Sequence, residues 1–333
     1  MGASRSIPSV ADTEAGLRQA AEWAMLAPSI LNTQPWRWRV HALRLDLFAD
    51  FDRVVASVDR DRRMLTISCG AALHHACAAL RSNGMTPQVT RYPDPNRPDL
   101  LATIAIVDER PPDRHELDLA GAIWTRRSDR RPIQAPTPPG PSDVDLMRRA
   151  AEQMGARLHL ITEDQQPFLA LAASSAASIE DRAESYQRDL VAWTDERRPG
   201  EGVSIQTLVA HRVRPVPLRD FAGGGETRLH PGHGDDANAD YLILATDGDT
   251  PVDWLRAGEA LSLVWLTATN RGLAGSVLSN VIEVPGARAL VASLLPEPGQ
   301  PQLVLRLGIA AHPAPPPASP RRRPESVITV EGR

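Results

Sequence analysis

Apolar positions at Leu17, Ala20, Ala21, Ala24 and Met25 recur at the i, i+3, i+4 spacing of one helix face, with Asp12 or Thr13 placed to cap it. That spacing predicts a helix over residues 12–25. Past Ala27-Pro28-Ser29 the period shortens, and residues 36–40 and 44–48 alternate as paired strands do. Residues 64–82 read as a long apolar helix closed by Gly84, and 88–92 and 102–107 as strands, so a first unit closes near Pro111. We set this half at residues 1–115.

The second half, 116–333, opens with a helix over 116–126 that meets the run Arg126-Arg127-Ser128-Asp129-Arg130-Arg131 and then a proline-rich turn at 132–141. A capped helix over 142–153, a strand over 157–161 and one long helix over 165–193 follow. Residues 197–238 lose all period among Pro, Gly and Arg, the pattern of a lid or a disordered loop. Regular structure returns with a strand at 241–245, helices at 252–269 and 286–295, and a strand at 302–307. The tail, 312–324, is proline-rich and carries Arg321-Arg322-Arg323. Strands and helices mixed in this way predict an α+β fold. Both halves begin with a basic or polar turn, a helix and a strand, and Ser4-Arg5-Ser6-Ile7 echoes the later Arg-Arg-Ser over a few residues, which leaves an internal duplication open.

Composition narrows the function. With 37 basic against 41 acidic residues the net charge is -4, too small for a nucleic-acid footprint. At 42% apolar and 23% charged the chain is ordinary for a folded protein. Its apolar runs are far shorter than a membrane span, and the opening residues lack a secretory apolar region. The expected location is the cytoplasm, with no membrane and no nucleic-acid partner. The chain contains no lysine, which excludes Schiff-base chemistry on that residue. The opening Met-Gly-Ala-Ser-Arg-Ser also fits a short myristoylation pattern, outweighed by the bacterial character of an all-arginine chain.

Candidate chemistry concentrates in residues 27–38, where Pro28, Ser29, Asn32, Gln34, Trp36 and Trp38 crowd small, amide and indole groups into one helix-to-strand turn. Such a turn offers hydrogen bonds beside an aromatic wall; an ordinary capped loop over buried tryptophans is the alternative. Arg126, Arg127, Ser128 and Arg130 supply the donors that a phosphate dianion needs, or else form a solvated basic helix end. Arg321 and Arg322 by themselves read as part of a solvated, proline-flanked tail. Residues 272–280, including Leu278, Ser279 and Asn280, read as a strand after a glycine helix stop. His230, His233, Asp235 and Asp236 are expected at a polar loop tip, with a metal site the lesser reading. Cys69 and Cys77 are expected in the core, and His74 and His75 in the core or at an interface. No dinucleotide fingerprint and no hydrolase elbow occurs.

The string Ala-Pro-Ser-x-x-Asn-x-Gln-Pro-Trp at 27–36, together with Arg-Arg-Ser-x-Arg at 126–130, resembles the nitroreductase family of flavoproteins, and the order of the two motifs resembles its Acg-like branch, in which one chain mimics a dimer. The resemblance runs through 63–80 to the terminal Pro-Arg-Arg-Arg-Pro. It implies a nitroreductase-like fold of two related halves forming a pseudo-dimeric monomer around one FMN, with further association of chains left open. It implies FMN contacts from Pro28, Ser29, Asn32, Gln34, Arg126, Arg127, Ser128, Arg130, Leu278, Ser279, Asn280, Arg321 and Arg322. In many relatives a Pro and a Glu-Gly pair stand where this chain has Val277 and Ser279-Asn280, so the geometry at the flavin ring is expected to depart from theirs.

The activity so implied is transfer of hydride from NAD(P)H to FMN and on to a small-molecule nitro or quinone acceptor, with no protein nucleophile and no metal. A protein that sequesters FMN under a closed 197–238 lid is the alternative.

Overall fold

The computed structural model describes residues 10–133, 140–194, 198–210, 212–222, 225–232, 234–310, 312 and 314–331. The amino-terminal run with Ser4 to Ile7, Gly223, Gly224 and His233 lie outside the described residues.

Helix α1 (Val10–Ala24) turns its Leu17, Ala20, Ala21 and Ala24 face inward, as the periodicity predicts. After a short 3₁₀ turn, Ile30–Asn32, the chain enters β1 (Trp36–Val40) and β2 (Arg44–Ala49), which pair antiparallel with Trp38 opposite Leu47. Helix α2 (Arg63–Ser82) is buried along almost its whole length, because its only charged residues stand at its ends. Strands β3 (Met85–Arg91) and β4 (Leu100–Glu109) follow. Helix α3 (Arg114–Thr125) starts with a capping box between Asp113 and Glu116, each side chain accepting the other's backbone N–H. Next come α4 (Pro141–Gln153), β5 (Arg157–Leu160), α5 (Gln166–Arg182) and α6 (Glu184–Thr194). The second half ends with β6 (Asp240–Thr246), α7 (Pro251–Asn270), β7 (Ala274–Leu278), α8 (Asn280–Glu283), α9 (Pro285–Ala292), β8 (Gln300–Gly308) and β9 (Ile328–Val330).

Two sheets result, ordered β3-β4-β2-β1-β9 and β5-β6-β8-β7. Taken from its other edge the second sheet is β7-β8-β6-β5, the same spatial order as β3-β4-β2-β1. In both halves a helix precedes two paired strands, a 20-residue helix follows them, and two more strands complete the sheet. The tail breaks the correspondence: β9 leaves the second half and pairs parallel to β1, with Trp38 beside Ile328. A three-residue strand carries no readable period, which is why the sequence shows only a proline-rich tail there.

Two expectations need correction. The single helix over 165–193 is two helices, broken at Ala183, whose φ of -90° and ψ of 105° are extended. The break lets Glu180 on α5 and Tyr186 on α6 approach one guanidinium, that of Arg219. Asp236 is not at a loop tip. It is 1% exposed, accepts from the Ile133 N–H at 2.7 Å, and pairs with Arg214 at 2.8 Å and Arg306 at 2.7 Å. The neighbouring arginines hold its carboxyl below the usual range against the opposing effect of burial.

The halves meet where α2 crosses α7 with no side chain between their backbones. A Cβ on Gly70 would stand 2.0 Å from the Leu255 carbonyl oxygen, and one on Gly258 would stand 2.0 Å from that of Ile67. The same crossing buries His74 and His75 against Ser262 Oγ at 2.7 and 2.8 Å. Cys69 and Cys77 are buried free thiols, as expected of core positions. No described helix is long and apolar enough to cross a membrane.

The crossing generates a paired prediction. Gly70→Ala forces two backbones apart and should cost about 3 kcal/mol or more, the upper end for overpacking. Gly121→Ala, on an exposed face of α3 with nothing within 4 Å of the added atom, should stabilise by about 0.5–1 kcal/mol. Urea denaturation midpoints check both, and equal effects would contradict the backbone contact.

Candidate functional site

The turn between α1 and β1 is held in a conformation that few side chains adopt. Leu31, Asn32 and Gln34 have φ of 43°, 54° and 50°, in the left-handed region. Such strain persists only where the surroundings fix it. Here Ser29 Oγ accepts from the Gln34 N–H at 3.0 Å, and Ser68 Oγ of α2 accepts from the Ile30 N–H at 3.1 Å. The Asn32 amide donates to the carbonyls of Gly202 and Pro320 at 2.9 and 3.0 Å, and its oxygen accepts from Arg321 Nη1 at 3.1 Å. The Gln34 amide donates to the Gly200 carbonyl at 2.8 Å and accepts from the Arg322 N–H at 3.0 Å. Asn32 and Gln34 therefore bind the carboxy-terminal arm into place.

That arm brings Arg321 beside Arg126, at the end of α3. Both guanidinium groups donate to the Leu26 carbonyl, Arg321 at 2.9 Å and Arg126 at 3.3 Å, so two like charges lie side by side. Arg126 is 4% exposed and lies 4.8 Å from the ring centroid of Trp265. Its Nε and Nη1, and Nε of Arg321, are buried without a partner. Burial and then the charge of Arg321 push the Arg126 guanidinium down to about 9; burial and then Arg127 bring Arg321 to about 10. Both stay charged at neutral pH. Buried donors are nearly always paired, and leaving one unpaired costs about 1–3 kcal/mol. Three such donors on two adjacent cations fit an anion.

The rest of the basic run is divided by its local pairing. Arg127 donates to the carbonyls of Trp124 and Arg126, closing the carboxy-terminal end of α3. Ser128 bridges to Gly275 of β7, and the Asp129 N–H donates to the Gly275 carbonyl at 2.8 Å. Buried Arg306 of β8 donates to the carbonyls of Asp129 and Arg131, while Asp129 and Arg131 pair at 2.7 Å. These contacts turn Asp129 and Arg131 inward and leave Ser128 and Arg130 on a cavity of about 90 Å³. Pro28, Ser29, Ser68 and Trp265 are also in its wall. Ser279 lies there as well, while Leu278 and Asn280 line a smaller adjoining recess with Arg130. Among the described residues the Arg130 guanidinium has no carboxylate partner, and it lies 4.4 Å from the ring centroid of Phe221.

Phe221 and Arg219 come from the aperiodic stretch and stand in the cavity wall. Arg219 is fixed by Glu180 at 2.8 Å and by Glu283. Neither residue is readable as a site residue, since nothing periodic surrounds them. Ser68 and Trp265 read as core positions of long helices; a serine in the apolar stripe of α2 was the available signal. A larger cleft of about 500 Å³ lies between residues 57–64 and α9. Of its three cations Arg63 and Arg288 are both spent on Asp249, while Arg60 stands exposed at its wall. Among the described residues no cluster of His, Cys, Asp and Glu is placed to hold a metal.

The arrangement sets an aromatic and hydroxyl cavity wall next to a pair of cations with open donors, since Arg126 lies against Trp265 of that wall. Mycobacterium tuberculosis "Putative NAD(P)H nitroreductase acg" is 36% identical over 328 residues, 95% of this chain and 96% of its own. A second protein of that organism with the same nitroreductase description is 38% identical over 317 residues, covering 94% and 90%. The chain belongs to the nitroreductase family. No protein-family model matches it. Solved structures lie further off: an FMN and NADPH-dependent nitroreductase from Sphigopyxis sp. strain HMH is 16% identical over 65% of this chain and 99% of its own, with a TM-score of 0.41. At that distance the likeness adds nothing to the argument.

The unpaired donors predict a ligand response. Inorganic phosphate should stabilise the protein, by about 1.4 kcal/mol at ten times its dissociation constant. Arg126→Met, which removes a buried charge beside a like charge, should leave the thermal midpoint without phosphate unchanged or higher, and should abolish the response. Thermal melts with and without phosphate check this. An equal phosphate shift in both proteins would contradict the site.

Proposed function

We propose that the chain is an FMN-binding oxidoreductase that takes hydride equivalents from NAD(P)H and passes them to a small nitro or quinone-type acceptor. The observation that carries this reading is the pair Arg126 and Arg321, with three buried unpaired donors beside a cavity walled by Trp265, Pro28 and Ser29. A terminal phosphate would satisfy those donors, and Trp265, against which Arg126 lies, also stands in the cavity wall. The relatives named as NAD(P)H nitroreductases support the choice of donor and acceptor.

Bound FMN would supply the redox chemistry, a two-electron transfer at its ring, so no protein nucleophile is required. The residues of the chain bind and orient. Arg126 and Arg321 take the phosphate, and Arg127 adds charge near it. Arg130, without a carboxylate, favours negative charge on the polar edge of the ring. Ser29, Ser128 and Pro28 meet the ring or its side chain, with Leu278, Ser279 and Asn280 along the opposite edge. Asn32, Gln34 and Arg322 act one step away, by holding the arm that carries Arg321. Residues 1–115 and 116–333 form the halves of a pseudo-dimer with one site, because the connection from α4 to β5 is three residues long and has no counterpart of residues 25–35. Free buried thiols suit a cytoplasmic setting.

A second reading, retention of FMN with little turnover, is favoured by one observation. With Phe221 and Arg219 in its wall the cavity has a volume of about 90 Å³, below the roughly 300–1,000 Å³ of an open ligand site. Turnover requires this cover to move; retention requires it to stay.

Visible spectra of the FMN-loaded protein under anaerobic conditions distinguish the two. NADPH should bleach the flavin band if the chain is a reductase, and an unchanged band would contradict turnover. Arg126→Ala removes hydrogen bonds to a charged group, worth about 1.5–3 kcal/mol, and should weaken FMN roughly tenfold to a hundredfold while leaving riboflavin nearly unaffected. Titration with both ligands checks this, and equal weakening would contradict the phosphate assignment.

A further inference from the structure

Arg219 keeps donors that its own partners do not use. Its side chain is 6% exposed and is held through Nη2, which donates to Glu180 Oε1 of α5 at 2.8 Å and to Glu283 Oε2 of α8. Nε and Nη1 are buried without a partner. Buried donors are nearly always paired, so two open ones on a group already anchored call for an acceptor. Arg219 stands in the cavity wall, and neither Glu180 nor Glu283 does. Two adjoining recesses of about 30 and 20 Å³ repeat this: Arg219, Arg130 and Phe221 are in the wall of each, and both carboxylates lie outside. The guanidinium edge that the carboxylates occupy is therefore turned away from all three spaces, which leaves Nε and Nη1 on the side that faces them.

The larger recess locates the donors relative to the flavin residues. Apart from Arg130 it is bounded by residues 208–222 alone, none of which is assigned to FMN. Arg219 thus serves space on the far side of Arg130 from the turn at Pro28 and Ser29. Charge then decides what suits it. The cavity wall contains two cations, Arg130 and Arg219, and no carboxylate. Arg130 is matched to the polar edge of the flavin. In the recess Arg214 is paired with Asp236, and the exposed Arg212 and Asp220 are of opposite sign. Arg219 bears two carboxylates on one nitrogen, so its positive charge is more than balanced once both are ionised. Burial raises Glu180 to about 7 against the opposing charge of Arg219. An anion at Nε or Nη1 would meet two negative charges behind the guanidinium, whereas a neutral oxygen takes the same hydrogen bonds without that repulsion.

We propose that Arg219 is a specificity-determining residue for the acceptor: its Nε and Nη1 donate to an uncharged nitro or carbonyl oxygen, and the carboxylates that hold it select against acceptors bearing a carboxylate. The inference rests on the reading of the cavity as a flavin site and names the acceptor class of that site as neutral, flat and oxygen-bearing.

Two probes of similar shape test it, 4-nitrobenzyl alcohol and 4-nitrobenzoate, titrated calorimetrically into the FMN-loaded full chain without NADPH, so that nothing turns over. At about pH 8.5, where Glu180 is ionised, the alcohol should bind about tenfold more tightly than the carboxylate. Arg219→Lys retains a cation for Glu180 and Glu283 but lacks Nε and Nη1; it should weaken the alcohol about tenfold and leave riboflavin binding to the flavin-free chain unchanged. Glu180→Gln, whose amide oxygen still accepts from Nη2, should tighten the carboxylate several-fold and leave the alcohol unchanged, and it decides the matter if Arg219→Lys does not fold. Equal affinity for the two probes in the wild-type chain, or binding of neither, would overturn the inference and leave the flavin assignment standing. Weakened riboflavin in Arg219→Lys would overturn it too, by giving these donors to the flavin ring. A chain that takes up no FMN would overturn the flavin assignment and this inference with it.

Discussion

Backbone contact between α2 and α7 at Gly70 and Gly258 is the constraint on which the rest of the structure depends. Because no side chain separates the two helices, residues one and two turns away on each are brought within hydrogen-bond reach. His74 and His75 meet Ser262 on one side of the crossing, and Ser68 and Trp265 reach one cavity on another. A wider crossing would need larger residues to fill it, and the cavity wall would no longer be drawn from both halves. The price of this closeness is borne by two glycines in the middle of helices, where glycine costs about 0.5–1 kcal/mol relative to alanine.

The second constraint is electrostatic. Arg126 and Arg321 lie together with no carboxylate partner among the described residues, and the chain goes to some length to keep them there. Asn32 and Gln34 adopt left-handed backbone to grip the arm, and β9 anchors its far end on β1. Asp236 and Arg306 are buried and paired, and they fix the backbone that carries Arg130. Arg219 in the cavity wall is paired through Nη2 and likewise keeps Nε and Nη1 without a partner, so open guanidinium donors surround the site on more than one side.

Most elements were legible because their patterns are strong. Trp36 to Val40 alternates over five residues, and residues 63–82 carry no charge between their ends. The two motifs come together in space: Pro28 and Ser29 of the Ala27 to Trp36 turn share one cavity wall with Ser128 and Arg130 of the basic run. The use made of Asn32 and Gln34 was not legible, because their partners lie 166 to 289 positions away in the aperiodic stretch and the tail. The break at Ala183 was hidden for a similar reason: alanine favours helix, and the interaction that overrides it is a buried ion cluster around Arg219. Asp236 looked like a loop-tip residue because its arginine partners come from two distant segments.

The central claim is that one chain builds one asymmetric site from two similar halves. The most direct measurement is a titration of the flavin-free chain with FMN, followed by fluorescence quenching, at a protein concentration well above the dissociation constant. The account predicts a sharp break at one equivalent per chain. A break at two equivalents would show that both halves build a site, and a break at one-half would show that two chains are needed to make one.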